Sequence, residues 1–308
     1  MNSFSLIAMD NVSEDLKAAL KCAYEFPQEK LDLALDYQWV SRVLSECHQL
    51  YQLFDWNWQQ LQTNVCCDYF DYITDPGGRK KDLTLEVNGL TANVISTGKG
   101  LIDYLQACSG KDDDFKRFNN LRVAKYSKES AYYLLYELRN YVQHGQLIVA
   151  TYAFQGRTKA CFDLFQLKDP LFFTPKGKLV KMFETNIGII ESLKGEPKLS
   201  FGLYMDLYNM EIRELYLEFL KCFKNKIRQA TKRLFSFLDK YPRYLTSLPD
   251  GEKCLLYKQG DDLHLIMGLE VKLTRRPYLD CLDKTKKQYE KAKKQAKKRQ
   301  KNFSQIKR

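Results

Sequence analysis

Leu134-Leu135-Tyr136-Glu137-Leu138-Arg139-Asn140-Tyr141-Val142-Gln143-His144-Gly145 carries a helix pattern and a reactive pair in one stretch. Tyr132, Leu135, Leu138, Tyr141 and Val142 recur in the steps of one helix face, which predicts an amphipathic helix. Ser127 is placed to cap it, Glu129 and Ser130 open it, and Gly145 supplies a stop. On its last turns sit Arg139, a permanently charged multi-donor group, and His144, which changes charge near neutral pH. Arginine holds a phosphate and histidine moves a proton. An RNA strand brings its own nucleophile, the 2′-hydroxyl, so the pair suffices for RNA cleavage without a metal.

On an ideal helix, residues five apart diverge by roughly 140°, so Arg139 and His144 do not share a face. Asn140 and His144 do, with Tyr136 one turn earlier. The long arginine side chain reaches toward that face, and a two-fold-related second copy would supply the other half of a site. Asn140 is placed to orient His144, and Glu137 to position Arg139. The negative end of the helix dipole favours protonated His144, while Arg139 opposes it. With 14 arginines and three histidines in the chain, the bare spacing is weak. Arg42 and His48 also satisfy it. What they lack is the asparagine after the arginine, the apolar helix leading in and the glycine behind, so His48 reads as a surface helix residue.

Outward from this stretch, residues 12–54 read as helical, with Leu16, Ala19, Leu20 and Ala23 at helical spacing, an interruption at Pro27, and a second run from Trp39 to Phe54. Residues 55–73 are ambiguous and Asp75-Pro76-Gly77-Gly78 marks a turn. Residues 83–108 give another helix, interrupted in propensity by Gly89, Gly98 and Gly100, for which close helix packing is one use. Residues 146–152 and 160–167 form a hairpin around Gln155-Gly156-Arg157. Residues 178–193 and 203–238 are helical, the second long, with Tyr208, Ile212, Leu215, Phe219, Phe223, Ile227, Ala230, Leu234 and Leu238 on one face and Pro242 beyond its end. Residues 254–257 and 263–273 flank Gln259-Gly260-Asp261-Asp262 as a second hairpin. The expected fold is mainly α, with additional long helices and two small β-hairpins. It divides into a helical domain with its hairpin over residues 1–168, a helical extension over 169–276, and a basic tail over 277–308.

Charge is distributed very unevenly. The chain has 49 basic and 38 acidic residues, and ten Lys, two Arg and one Glu lie from Lys284 onward. The rest of the chain therefore carries 37 of each sign and is neutral. The tail has almost no apolar stripe and reads as solvated, its helix conditional. Lys286, Lys287, Lys293, Lys294, Lys297, Lys298 and Arg299 are its candidate RNA-binding residues, acting through counterion release. It lacks the Trp and Phe anchors of a membrane-surface helix. No apolar run approaches the ~20 residues of a membrane span, and the start of the chain lacks the pattern of a secretion signal. Nine cysteines without Cys-x-x-Cys spacing fit reduced thiols, so a cytoplasmic protein is expected, with no metal site and no cofactor motif.

Arg139-Asn140-x-x-x-His144 resembles the Arg-x(4–6)-His motif of the HEPN superfamily, over about residues 30–165. The resemblance implies an all-α bundle that dimerises to bring two motifs into one cleft. It also implies a metal-independent endoribonuclease of toxin–antitoxin or phage-defence type, partnered by RNA and by an antitoxin or other protein. Arg139 would stabilise the phosphate and His144 would take part in proton transfer, leaving a 2′,3′-cyclic phosphate and a 5′-hydroxyl. Some members have lost activity, so an inactive dimerisation or RNA-binding module is the alternative. A third reading takes Asp261 or Asp262 with Glu270-Val271-Lys272 on an expected strand, which resembles the Asp…Glu-x-Lys set of metal-dependent nucleases.

Overall fold

The computed structural model describes residues 24–25, 27, 30–67, 72–74, 83–126, 130–142, 148–154, 157–163, 198–242, 245–247, 253–259, 262–266 and 271–306. The expected helices over residues 12–23 and 178–193 lie outside the described residues. So do the turn at Asp75-Pro76-Gly77-Gly78, the cap Ser127 and the stop Gly145. Within the described residues the protein is mainly α, as expected. No described helix is long and apolar enough to cross a membrane.

The helices are α1 (Leu31–Asn64), α2 (Leu83–Ser109), a 3-10 turn (Asp113–Phe115), α3 (Lys116–Lys125), α4 (Ala131–Val142), α5 (Phe201–Leu238) and α6 (Val271–Ile306). The strands are β1 (Tyr24–Glu25), β2 (Cys66–Cys67), β3 (Tyr72–Thr74), β4 (Val149–Phe154), β5 (Arg157–Asp163), β6 (Lys198–Ser200), β7 (Leu245–Ser247), β8 (Lys253–Gln259) and β9 (Asp262–Ile266). They make two small sheets. Both expected hairpins are present as antiparallel pairs, β4 with β5 through Phe154 opposite Arg157, and β8 with β9 through Gln259 opposite Asp262.

The chain divides into two compact units, and α1, α5 and α6 each contribute residues to both. The first comprises Met1–Glu46 and Phe223–Cys281. Its core gathers Ala34 and Tyr37 of α1 with Leu234, Phe237 and Leu238 of α5. Arg233 ties the same helices at the surface, with 2.6 Å contacts to Asp32 and to Asp36. β8 is central in its sheet, paired with β9 along one edge and with β7 and the parallel β1 along the other.

The second unit comprises Cys47–Cys222 and Leu282–Arg308 and holds the larger core. The apolar positions expected on α5 from Tyr208 through Phe219 are all buried here, each contributing roughly 1.5–3 kcal/mol by leaving water. Phe115 stacks on Phe219 with ring centroids 5.1 Å apart, and Phe118 meets Phe219 edge-on at 5.5 Å. Gly98 of α2 faces Tyr208, whose buried hydroxyl donates to the Ile95 carbonyl at 3.1 Å. A methyl group at residue 98 would lie 2.5 Å from that hydroxyl, so one of the three glycines is a packing glycine. Gly89 and Gly100 have open space around them.

One polar network joins α1, α5 and α6. The nearly inaccessible Arg213 guanidinium donates to Asp55 at 2.5 Å, to the Tyr51 hydroxyl at 2.6 Å and to Asn209 at 2.8 Å. Gln288 of α6 completes it, accepting from the Tyr51 hydroxyl at 2.7 Å and donating to Asp55 at 3.0 Å. Such a cation is tolerable because each of its three nitrogens has a partner.

The basic segment differs from expectation. Instead of a solvated tail it lies in one helix whose Thr285, Tyr289, Ala292 and Ala296 are buried at steps of four, three and four. Small residues and tyrosine make a stripe too narrow to register as apolar. Acidic groups of α5 finish the attachment: Asp206 accepts from Arg299 at 2.6 Å and Gln295 at 2.8 Å, and Glu214 accepts from the Tyr289 hydroxyl at 3.2 Å.

Candidate functional site

The helix carrying Arg139 is fixed at its start from two directions. The Ser130 hydroxyl accepts the Tyr133 N–H at 3.0 Å and itself donates to the Lys125 carbonyl. Ser130 is therefore the capping residue, in place of the expected Ser127. The Glu211 carboxylate of α5 accepts the Tyr132 N–H at 2.7 Å. Both are donors that a helix leaves open in its first turn. Tyr132, Leu134, Leu135 and Leu138 are buried, and α4 packs on α2.

Beyond α4 the chain is fixed again at Ile148. Asn88 of α2 accepts the N–H groups of Ile148 and Val149, each at 2.8 Å, and donates to the Val149 carbonyl at 2.7 Å. A second donation, to the Thr84 carbonyl at 2.8 Å, satisfies the rest of the buried amide. Residues 143–147 are thus bracketed by the end of α4 and by a strand start held on α2. His144 falls in that interval, outside the described residues.

Arg139 is half-buried on the last turn of α4, and its Nε–H is buried with no hydrogen-bond partner among the described residues. A buried guanidinium donor left open in this way costs about 1–3 kcal/mol unless something fills it. Glu137 and Asn140 belong to the same helix, Asn140 one turn after Tyr136.

Tyr136 lies in a compact polar group that sequence reasoning did not anticipate. The Lys99 ammonium of α2 sits 4.4 Å from the centre of its ring and 2.5 Å from Asp103, while the Tyr136 hydroxyl donates to Asp103 at 3.5 Å. Burial works against the lysine charge, but Asp103 and Tyr136 outweigh it and raise the Lys99 pKa above its ordinary value. Tyr126 meets Tyr136 edge-on at 5.3 Å. The available signal was the Lys99/Asp103 pair at four-residue spacing on a helix otherwise rich in apolar residues. Chemically, the arrangement supplies an aromatic wall and a lysine held charged beside Tyr136, six residues before the end of α4.

The basic residues singled out on the tail separate into two groups. Lys286, Lys287, Lys294, Lys297 and Lys298 are exposed, whereas Arg299 is bound to Asp206 and Lys293 lies over the Tyr289 ring at 5.3 Å. The metal-dependent alternative loses its strand. β9 ends at Ile266 and Val271 begins α6, so Lys272 is helical, while Asp261 and Glu270 lie outside the described residues.

Compared with known proteins, the chain matches no family model, no curated protein and no solved structure.

Proposed function

We propose that this protein is a homodimeric, metal-independent endoribonuclease of HEPN type. Arg139 grips the scissile phosphate and His144 takes part in proton transfer. The 2′-hydroxyl attacks the adjacent phosphorus and the bond to the 5′-oxygen breaks. The nucleophile gives up a proton and the leaving oxygen gains one, so the products are a 2′,3′-cyclic phosphate and a 5′-hydroxyl. The observation that carries this reading is the place of Arg139 on the last turn of a helix whose start is held by two side-chain acceptors, with its Nε–H lacking a hydrogen-bond partner among the described residues. An unrestrained activity of this kind harms its host, which favours a cytoplasmic toxin or phage-defence setting with an antitoxin or other restraining partner.

The test incubates wild type, His144→Ala and Arg139→Ala with total tRNA and mRNA in EDTA, followed by end-group analysis. Each protein is first checked for folding and for molecular mass in solution. Cleavage by the wild type alone, with cyclic-phosphate ends, is the expected result. Absence of cleavage by a folded wild-type dimer would instead assign the protein to the non-catalytic binding modules, and cleavage seen only with Mg²⁺ would reject the metal-independent route.

A further inference from the structure

The outer face of α6 carries Lys284, Lys287, Lys291, Lys294, Lys298 and Lys301, all exposed, at alternating steps of three and four. That spacing keeps them on one side of the helix, opposite buried Thr285, Tyr289, Ala292 and Ala296. At 1.5 Å per residue the row extends for roughly 25 Å. Neighbouring charges lie within the ~8–10 Å screening length, so they act as one strip. Among the described residues none of the six takes part in an ion pair, whereas the inward-pointing Arg299 is given Asp206. Glu290 is the single acidic residue between Lys284 and Arg308.

We infer that this lysine row is a docking strip for the phosphate backbone of RNA, separate from the residues that cut. The inference rests on the ribonuclease reading for the choice of RNA. Charge complementarity carries the rest, because a linear row of exposed cations matches a linear polyanion and its self-repulsion is relieved when phosphates bind. A membrane surface fits poorly. An amphipathic helix binds bilayers by burying an apolar face, and Tyr289, Ala292 and Ala296 are already consumed by packing inside the protein. The contacts need no base edges, so little sequence preference is expected.

The experiment measures binding of the full-length protein to a single-stranded 2′-O-methyl RNA, which lacks the attacking hydroxyl, by fluorescence anisotropy across a KCl series. If the whole row engages, log K falls with log[KCl] with a slope of about −4, at ~0.7 per phosphate neutralised. The Lys287→Gln/Lys294→Gln/Lys301→Gln variant should lose about 2 from that slope and on the order of 100-fold in affinity at 0.1 M salt. A control triple at exposed Lys111, Lys224 and Lys232 should match the wild type. Wild-type slope and affinity in the row variant would overturn the inference, as would a row-dependent loss confined to phosphatidylserine vesicles. Cleavage of unmodified RNA is followed in parallel. Row-dependent binding without cleavage removes the ribonuclease reading and leaves the strip, while cleavage with row-independent binding removes the strip alone.

Discussion

The carboxylate of Glu211 accepts the backbone N–H of Tyr132 at 2.7 Å, across 79 residues of chain. A group on α5 thereby sets where the Arg139 helix begins. Glu211 is buried and shares Lys125 with Glu214, at 3.7 Å and 2.8 Å respectively. Burial raises the Glu211 pKa above its ordinary value, against the opposing pull of Lys125 and the Tyr132 N–H.

Glu211→Gln and Glu211→Leu should therefore behave differently. Glutamine keeps an acceptor for Tyr132 and removes a buried charge, so it should be close to neutral at pH 7. Leucine leaves the N–H open and should cost about 1–3 kcal/mol. Because the folded pKa is raised, this group favours the fold most while protonated, below the ordinary 4.5. Its contribution is lost as pH rises through the folded pKa. Urea unfolding from pH 4 to 7 should show that decline in the stability of wild type measured relative to Glu211→Gln.

The three glycines of α2 should also separate. Gly98→Ala would press a methyl group to 2.5 Å from the Tyr208 hydroxyl and 3.1 Å from its ring, inside a buried contact. Overpacking of this kind costs about 1–3 kcal/mol, more than the ~1 kcal/mol gained in helix propensity. Gly89→Ala and Gly100→Ala meet nothing within 4 Å and should stabilise by up to ~1 kcal/mol. Thermal unfolding of the three variants decides it, and equal behaviour would contradict the contact.

Asp206→Ala should loosen the end of α6. Its carboxylate is 2 % exposed and holds both Arg299 and Gln295, whereas Arg299 is partly exposed and can rehydrate. The loss should be about 2 kcal/mol, below the usual cost of breaking a fully buried pair. Limited trypsin digestion should cut after Lys297 and Lys298 faster in the variant than in wild type.

His48 should make stability depend on pH. It is half-buried, and burial first, then the nearby Lys284, lowers its pKa below the ordinary 6.5. The neutral form is favoured in the folded protein, so stability is full above about pH 6.5. It falls as pH drops and the unfolded chain takes up the proton first. Comparing wild type with His48→Gln from pH 5 to 8 isolates this contribution, and Lys284→Gln should reduce it.

Long apolar periodicity was legible in the sequence. The α5 positions Tyr208, Ile212, Leu215, Phe219, Phe223, Ile227, Ala230, Leu234 and Leu238 are all buried, and both hairpins sit where their glycine-containing turns predict. Residues 55–64 looked ambiguous because exposed Trp56 and buried Asn57 reverse the usual rule, yet they complete α1. The parallel pairing of Tyr24-Glu25 with Tyr257-Lys258 has no local signal, since two residues cannot show alternation and their partner is remote in the chain. The packed face of the basic helix is invisible in the sequence because it is built from threonine, tyrosine and alanine, while hydrophobicity patterns respond to leucine and valine. Around Arg139 the motif and helix were visible. The Lys99, Asp103 and Glu211 contacts were not, because they depend on how separate helices meet.

Along α6, packing and charge are assigned to different residues of the same helix. Thr285, Tyr289, Ala292 and Ala296 carry the first, and the outer lysines the second. A lineage or an engineer can thus raise, lower or reverse the outer charge by single substitutions while the buried seam stays constant. Acetylation of those lysines would grade the same property in a living cell, one elementary charge at a time.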